Sequence, residues 1–215
     1  MITITENIQK KLDALDNDVK EFVKILLKTN EKNEKRLNHI MSQSDNQQLQ
    51  LMQLNENLKT ISETDALTSL PNRLKCESTV NNLIEKRTPF SILAIDIDNF
   101  KTLNEKFNIA IANQVLVQIS KQFKRLTKSG DFLGRWAGDT FIIIIEENTS
   151  LDEMIEKSEE ICNKIEEFFF DDVGQVTVSI GVSSRSANSD LNTLINTLSK
   201  ALNKAKDNGK NQVSH

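Results

Sequence analysis

The run Phe141-Ile-Ile-Ile-Ile145 constrains this chain more than any other stretch. Five aromatic or β-branched residues in a row, bounded by polar positions, read as a strand buried on both faces. Such a strand has to lie inside a sheet with helices on either side. Just upstream, Phe132 to Trp136 reads as its partner, with Ala137-Gly-Asp-Thr140 as the tight turn between them. Gly138 gives the turn its conformational freedom and lets backbone come close to a ligand. Asp139 puts a carboxylate at the tip. Gly-Asp is also ordinary chemistry for a solvated turn, so the tip alone identifies nothing. A second acidic position gives it weight. Phe90-Ser-Ile-Leu-Ala-Ile-Asp-Ile-Asp98 is another buried strand, ending in carboxylates at alternate positions. Period-two geometry aims Asp96 and Asp98 to one face, with Ile97 between them facing the other way.

The remaining elements follow in order. A Pro-containing segment, Asp65-Ala-Leu-Thr-Ser-Leu-Pro-Asn-Arg73, precedes a helical pattern through Val80, Leu83 and Ile84. Asn99 to Asn104 leads into a short helix, and Asn113 to Leu126 makes another, with Val115, Leu116, Ile119 and Phe123 inward. After the central hairpin come a helix from about Asp152 to Phe169 and a strand from Val176 to Val182. A last helix, from about Asp190 to Asn208, is closed by Gly209. This order predicts an α+β layer fold: an antiparallel-containing central sheet flanked by helices. If the Asp96 strand and the hairpin are neighbours, their acidic ends sit side by side.

Residues 1–62 differ in kind. They hold no Gly or Pro, and apolar residues recur at spacings of three and four: Ile8, Leu12, Leu15, Val19, Phe22, Leu26, then Leu37, Ile40, Leu51, Leu54, Leu58 and Ile61, with Ser44 and Gln47 weakening the seam between Ile40 and Leu51. Thr29 and Asn33 occupy the seam between the halves, which join through an extra four-residue step, as in a coiled-coil stutter. We read 1–62 as a dimerising helical segment with a weak or switchable seam, and 63–215 as the domain it carries; a helical hairpin packing on itself or on the downstream domain is the alternative. A net charge of −4 and a pI near 5.4 argue against a nucleic-acid binder. No apolar run approaches the roughly 20 residues of a membrane span, and no signal-peptide pattern opens the chain, so a cytoplasmic location is expected. Cys76 and Cys162 have neither metal nor redox spacing and read as reduced, part-buried small hydrophobes.

Acidic oxygens at a sheet edge beside a Gly-bearing turn make a site for a hard cation, and Mg²⁺ takes only one or two protein carboxylates, completing its shell with water and phosphate oxygens. Nucleotidyl transfer asks little more of a protein than that, with cations for the phosphates and a base pocket. Four segments, Asp65-Ala-Leu-Thr-Ser-Leu-Pro-Asn-Arg, Asp96-Ile-Asp-Asn-Phe-Lys, Arg135-Trp-Ala-Gly-Asp-Thr-Phe and Val176-Thr-Val-Ser-Ile-Gly-Val, resemble in order the signature segments of the GGDEF domain, the diguanylate cyclase family. The resemblance implies a palm-like fold similar to class III nucleotide cyclases. It implies a homodimer, assembled here through the N-terminal helices, in which each domain holds one GTP and the pair makes cyclic di-GMP and two pyrophosphates.

By position, the resemblance makes Asp96, the Ile97 carbonyl and Asp139 the ligands of Mg²⁺, or of Mn²⁺ in its place. Phe100, Lys101, Gly138, Lys206 and Lys210 would line the triphosphate, Asn104 and Asn113 the guanine, and Lys128 and Asp131 a product-inhibition site. The departures are as informative. Ala137 replaces a glycine. Thr140 replaces a catalytic glutamate and removes an acidic oxygen. Phe107-Asn108-Ile109 replaces Phe-Gly-His. Asn113 replaces a guanine-reading aspartate, and an amide offers one acceptor and one donor group where a carboxylate accepts twice, so base selectivity should relax toward adenine. Lys128 replaces an arginine whose planar fork a point charge does not reproduce, so product feedback should be weak. Two readings result: a slow or relaxed-specificity cyclase, or a degenerate module that binds GTP or a protein partner and acts by assembly.

Overall fold

The computed structural model of the chain describes residue 11 and residues 16–146, 150–184 and 190–215, without the side chains of residues 56, 57 and 61. The chain divides into two units, residues 1–59 and 60–215. The main described element of the first is a long helix: α1 runs unbroken over Asn17–Glu63, so no hairpin turn falls within that span. Of the expected seam, Ile8, Leu12, Leu15 and the Ile61 side chain lie outside the described residues. The rest is exposed along the helix, from 42% at Val19 to 61% at Phe22 and Leu51.

The second unit contains α2 (Arg73–Glu85), β1 (Ser91–Ile97), α3 (Phe100–Phe107), α4 (Ile109–Leu126), β2 (Phe132–Ala137), β3 (Thr140–Ile145) and α5 (Leu151–Glu167). There follow a small hairpin of β4 (Phe169–Phe170) and β5 (Gly174–Gln175), then β6 (Val178–Ser184), α6 (Leu191–Asp207) and β7 (Val213–Ser214). Five strands form one sheet in the order β2-β3-β1-β6-β7. All neighbours are antiparallel except β6 and β7.

Burial on both faces of the central strands explains the layers. Leu93, Ile95 and Ile97 of β1 and Ile143 and Ile145 of β3 join Val115, Leu116, Ile119 and Phe123 of α4 and Met154, Ile161 and Ile165 of α5 in one core. The alternate residues Ile92, Ala94, Ile142 and Ile144 pack on the other face with Val80 and Leu83 of α2 and Leu194, Leu198 and Leu202 of α6. Each fully buried isoleucine contributes about 1.5–3 kcal/mol, an upper estimate for an extended unfolded reference. The helix ends have ordinary chemistry: Ser150 and Glu153 form a reciprocal capping box on α5, and the Asp190 side chain accepts from Thr193 N–H on α6. One junction is strained. Asn108, between α3 and α4, adopts φ 79° and ψ 166°, a region nearly reserved for glycine and costing about 1–3 kcal/mol.

Several boundaries differ from the sequence reading. β6 begins at Val178 rather than Val176, and α5 ends at Glu167, leaving Phe168 only part-buried and Phe169 72% exposed. The β4–β5 hairpin and β7 have two-residue strands, too short to carry any periodicity. Cys76 and Cys162 are unpaired and fully buried rather than part-buried, and burial pushes both thiols up to about 12.

Gly181 sets how closely α6 approaches the sheet. A Cβ there would meet the backbone of Leu202 and, at 2.8 Å, the carbonyl oxygen of Leu198. Because the obstacle is backbone, relief requires moving the helix. Gly181→Ala should therefore lower unfolding free energy by about 1–3 kcal/mol in urea titration, with the folded form retained.

Candidate functional site

The site forms where β1, the β2–β3 turn and the C-terminal half of α6 meet. In the sheet register Asp96 lies opposite Thr140 on β3 and Ser179 on β6. The turn itself is only Gly138 and Asp139, with Gly138 at φ 51°, and the Ile97 N–H reaches the Asp139 carbonyl at 3.4 Å. Both Asp96 oxygens are engaged. Lys206 Nζ stands 2.7 Å from Oδ1, and the Thr140 hydroxyl donates to Oδ2 at 2.9 Å. Asp139 is half-buried and its pKa is raised, by burial first and by the Asp96 charge second. Ionising it therefore opposes folding, and this contribution to stability falls as pH rises through the raised value.

Two carboxylates that repel each other, one desolvated, suit a cation between them. Among the described residues no three Asp, Glu, His or Cys side chains converge on one point, so those residues offer two acidic ligands here. That number fits one Mg²⁺ whose remaining positions go to water and phosphate. Thr140 adds no charge. Its hydrogen bond instead fixes the orientation of Asp96.

Asp98 behaves differently from what its spacing suggests. Ser179 Oγ (2.6 Å), Thr177 Oγ1 (2.8 Å) and the Asn211 N–H (3.0 Å) all donate to it. It is a structural carboxylate tying the end of β1 to β6 and to the loop after α6. The other expected residues are more dispersed. The Phe100 ring packs against the core, leaving its main chain as its contribution at the start of α3, where no side chain caps the helix. An uncapped helix start is a natural place for phosphate oxygens. Lys101 is 92% exposed, with Glu105 at 4.0 Å, and Lys210 is exposed at φ 64°. Asn104 is half-buried on α3, while Asn113 lines a shallow hollow of about 300 Å³ on α4 with Leu67, Gln114 and Lys121. Lys128 is exposed, and the Asp131 carboxylate, 8% exposed, is held by Lys157 at 2.8 Å and by the Lys128 N–H at 2.9 Å.

One functional contact had no role in the sequence reading. Arg135 donates from Nε and Nη2 to the Gly138 carbonyl (2.9 and 2.7 Å) and from Nη1 to both oxygens of Asp65 (2.9 and 3.2 Å). Asp65 also accepts from the Thr68 N–H and hydroxyl. The guanidinium thus clamps the turn that carries Asp139 to the segment following α1. An arginine at the third residue before the turn glycine was the available signal, but its partner lies 70 residues away.

Known proteins resemble the unit that carries this site. The family model described as "Diguanylate cyclase, GGDEF domain" matches residues 62–212, more than two-thirds of the chain. The chain belongs to the GGDEF family. A diguanylate cyclase of Vibrio cholerae is 33% identical over 139 residues, covering 62% of this chain and 43% of that protein. This chain spans less than half the length of such curated relatives. Among solved structures, the coiled coil and GGDEF domain of DgcB from Caulobacter crescentus, in complex with c-di-GMP, superposes with a TM-score of 0.72. It is 23% identical over 83% of this chain and 98% of that one, a likeness of fold. The diguanylate cyclase SiaD of Pseudomonas aeruginosa, in complex with its activator SiaC, gives 0.69 at 25% identity, covering 97% and 82%. The GGDEF fold of this chain is accordingly a mixed α/β sheet flanked by helices, preceded by a helical segment, and no described helix is long and apolar enough to cross a membrane.

Burial works against Asp65 ionisation, but the bonds from Thr68 and Arg135 outweigh it and hold its carboxyl below the ordinary 3.8. The stabilisation is therefore present above 3.8 and lost as pH falls through the lowered value. Asp65→Asn should cost about 1–2 kcal/mol at neutral pH, the low end because the pair is partly solvated, and the variant and parent should converge in acid denaturation curves.

Proposed function

We propose that this GGDEF domain binds GTP with one Mg²⁺ and, as a homodimer, condenses two GTP slowly into cyclic di-GMP with release of two pyrophosphates. The observation that carries the reading is the convergence of Asp96, Asp139 and Lys206, with the ammonium 2.7 Å from the Asp96 carboxylate. The roles of the site residues are part of the same proposal. Asp96, the Ile97 carbonyl and Asp139 would hold the metal. When bound, Mg²⁺ would supply charge neutralisation at the α-phosphate and favour ionisation of the attacking 3′-hydroxyl. Lys206 is close enough to pass from Asp96 to the phosphates, and the open start of α3 and Lys210 add to their binding. Gly138 has nothing within 4 Å of where a Cβ would stand, so a nucleotide can approach the turn closely. Asn104 and Asn113 would contact the base.

Because one domain holds one nucleotide, the reaction needs two domains face to face. The exposed apolar seam of α1, with its polar positions Thr29, Asn33, Ser44 and Gln47, supports a parallel helical pair as the device that brings them together. Product feedback would be feeble, since Asp131 is already committed to Lys157.

One observation favours a second reading. Thr140 donates to Asp96 where the family pattern has a glutamate, so the site lacks the acidic oxygen that would help activate the 3′-hydroxyl. On this reading the domain binds GTP or a protein partner and signals by assembly.

Incubation of the purified chain with Mg²⁺ and labelled GTP separates the two. Cyclic di-GMP should form, and Asp139→Ala should lower the rate by at least about 100-fold. Retained GTP binding with no product above that variant establishes the binding module instead. Parallel reactions with ATP should show use of adenine; strict GTP dependence ends the Asn113 argument. Light scattering should return a dimer mass that Leu37→Asp with Leu51→Asp reduces to a monomer.

A further inference from the structure

Helix α3 is attached more loosely than any other helix of its unit. Its eight residues include none that is buried, and only Phe100 and Leu103 rest on the core. Both ends are non-glycine residues at positive φ: Asn99 at φ 56° and ψ 26°, and Asn108 at φ 79° and ψ 166°. At Asn99 no side-chain cap secures the helix. At Asn108 the side chain accepts from Ala110 and Ile111 N–H, so it anchors the start of α4, while its strained backbone sets the direction of α3. These are the properties of two hinges flanking a rigid piece.

Behind α3 there is room to move. A cleft of about 220 Å³ separates Thr102, Leu103 and Phe107 from Val173, Gln175 and Thr177 around the β4–β5 hairpin. It falls short of the roughly 300–1,000 Å³ of a ligand pocket, yet exceeds several times the roughly 30 Å³ of a water molecule. Thr102 and Lys106 face it, whereas Lys101 and Asn104 lie about 120° and about 180° round the helix from them. Movement into the cleft therefore withdraws Lys101 and Asn104 from the other side.

We propose that α3 is a gate on the nucleotide site, hinged at Asn99 and Asn108. It swings back into the cleft to admit the nucleotide and returns to set Lys101 and Asn104 against it. The proposal rests on the nucleotide reading above for what passes the gate, and on the two junctions and the cleft for the motion. A gate of this kind affects entry and exit equally. Filling the cleft disfavours the open state without altering the closed one, so both rates fall and affinity stays constant.

The test uses the full chain with Mg²⁺ and a fluorescent N-methylanthraniloyl GTP in stopped flow. Gln175→Trp and Thr102→Trp, which fill the cleft from its two walls, should each slow association and dissociation together by about five-fold or more, with Kd held within about two-fold. Gln175→Ala should behave as the parent, and equal melting temperatures verify the fold. In the nucleotide-free chain, hydrogen exchange is read at Leu103 and Asn108, whose N–H groups bond to Asn99 and Asn104 carbonyls across the hinges. Exchange there should slow in both Trp variants while Ile119 in α4 stays unchanged. Parental rates in both Trp variants, or unaltered hinge exchange, overturn the gate. Absence of nucleotide binding by the parent, with hinge exchange slowed in the Trp variants, removes the nucleotide reading and leaves the moving helix.

Discussion

The antiparallel pairing of β1 with β3 sets Asp96 opposite Thr140 and beside the turn that holds Asp139. The rest of the site depends on this register. It is stiffly specified because both strands are buried on both faces. A slip by one residue would exchange Ile142 and Ile144, which belong with α2 and α6, for Ile143 and Ile145, which belong with α4 and α5. The same packing that makes the sheet stable therefore holds two mutually repelling carboxylates at its edge. Burial first and that repulsion second raise the pKa of Asp139, and Lys206 on α6 relieves part of the repulsion at Asp96.

Two further contacts tune the edge. Gly181 lets α6 lie against β6, which brings Lys206 within reach of β1. Arg135 spans the Gly138 carbonyl and the Asp65 carboxylate, so the turn takes its position from the segment that follows α1 as well as from its own strands. The acidic residues divide the work accordingly. Asp65 and Asp98 are saturated with donors and serve the fold, whereas Asp139 is the carboxylate whose ionisation the fold disfavours. A group held at a cost to stability is where function is to be sought.

Thr140 is the residue on which the two functional readings divide. Its hydroxyl orients Asp96 but brings no charge, so on the proposed reading the domain would keep two carboxylates for a metal–nucleotide complex and lack an acidic oxygen for the transfer step. At the positions that the family resemblance assigns to product inhibition the change is of another kind: the carboxylate of Asp131 persists but is buried in a pair with Lys157, a residue 26 positions further along the chain.

Much of this was legible from the residues in order. The strand Phe141–Ile145 required a covered sheet, the alternation of Asp96 and Asp98 put both at a strand end, and the four signature segments named the family, because each depends on local periodicity or on spacing within a few residues. The two-residue strands β4, β5 and β7 left no such trace. Nor could spacing tell Asp96 from Asp98: alternation assigns both to one face, but Asp98 lies in the turn after β1, and their separate fates rest on Lys206 and Thr140 for one and Thr177, Ser179 and Asn211 for the other. The chain by itself determined which residues are apolar, acidic or turn-forming, and hence the elements and the family. Only the tertiary structure decided which carboxylates are saturated with donors and which one the fold leaves reluctant to ionise, because a carboxylate's state is set by its burial and by the donors and cations around it, and these come from positions more than 40 residues away.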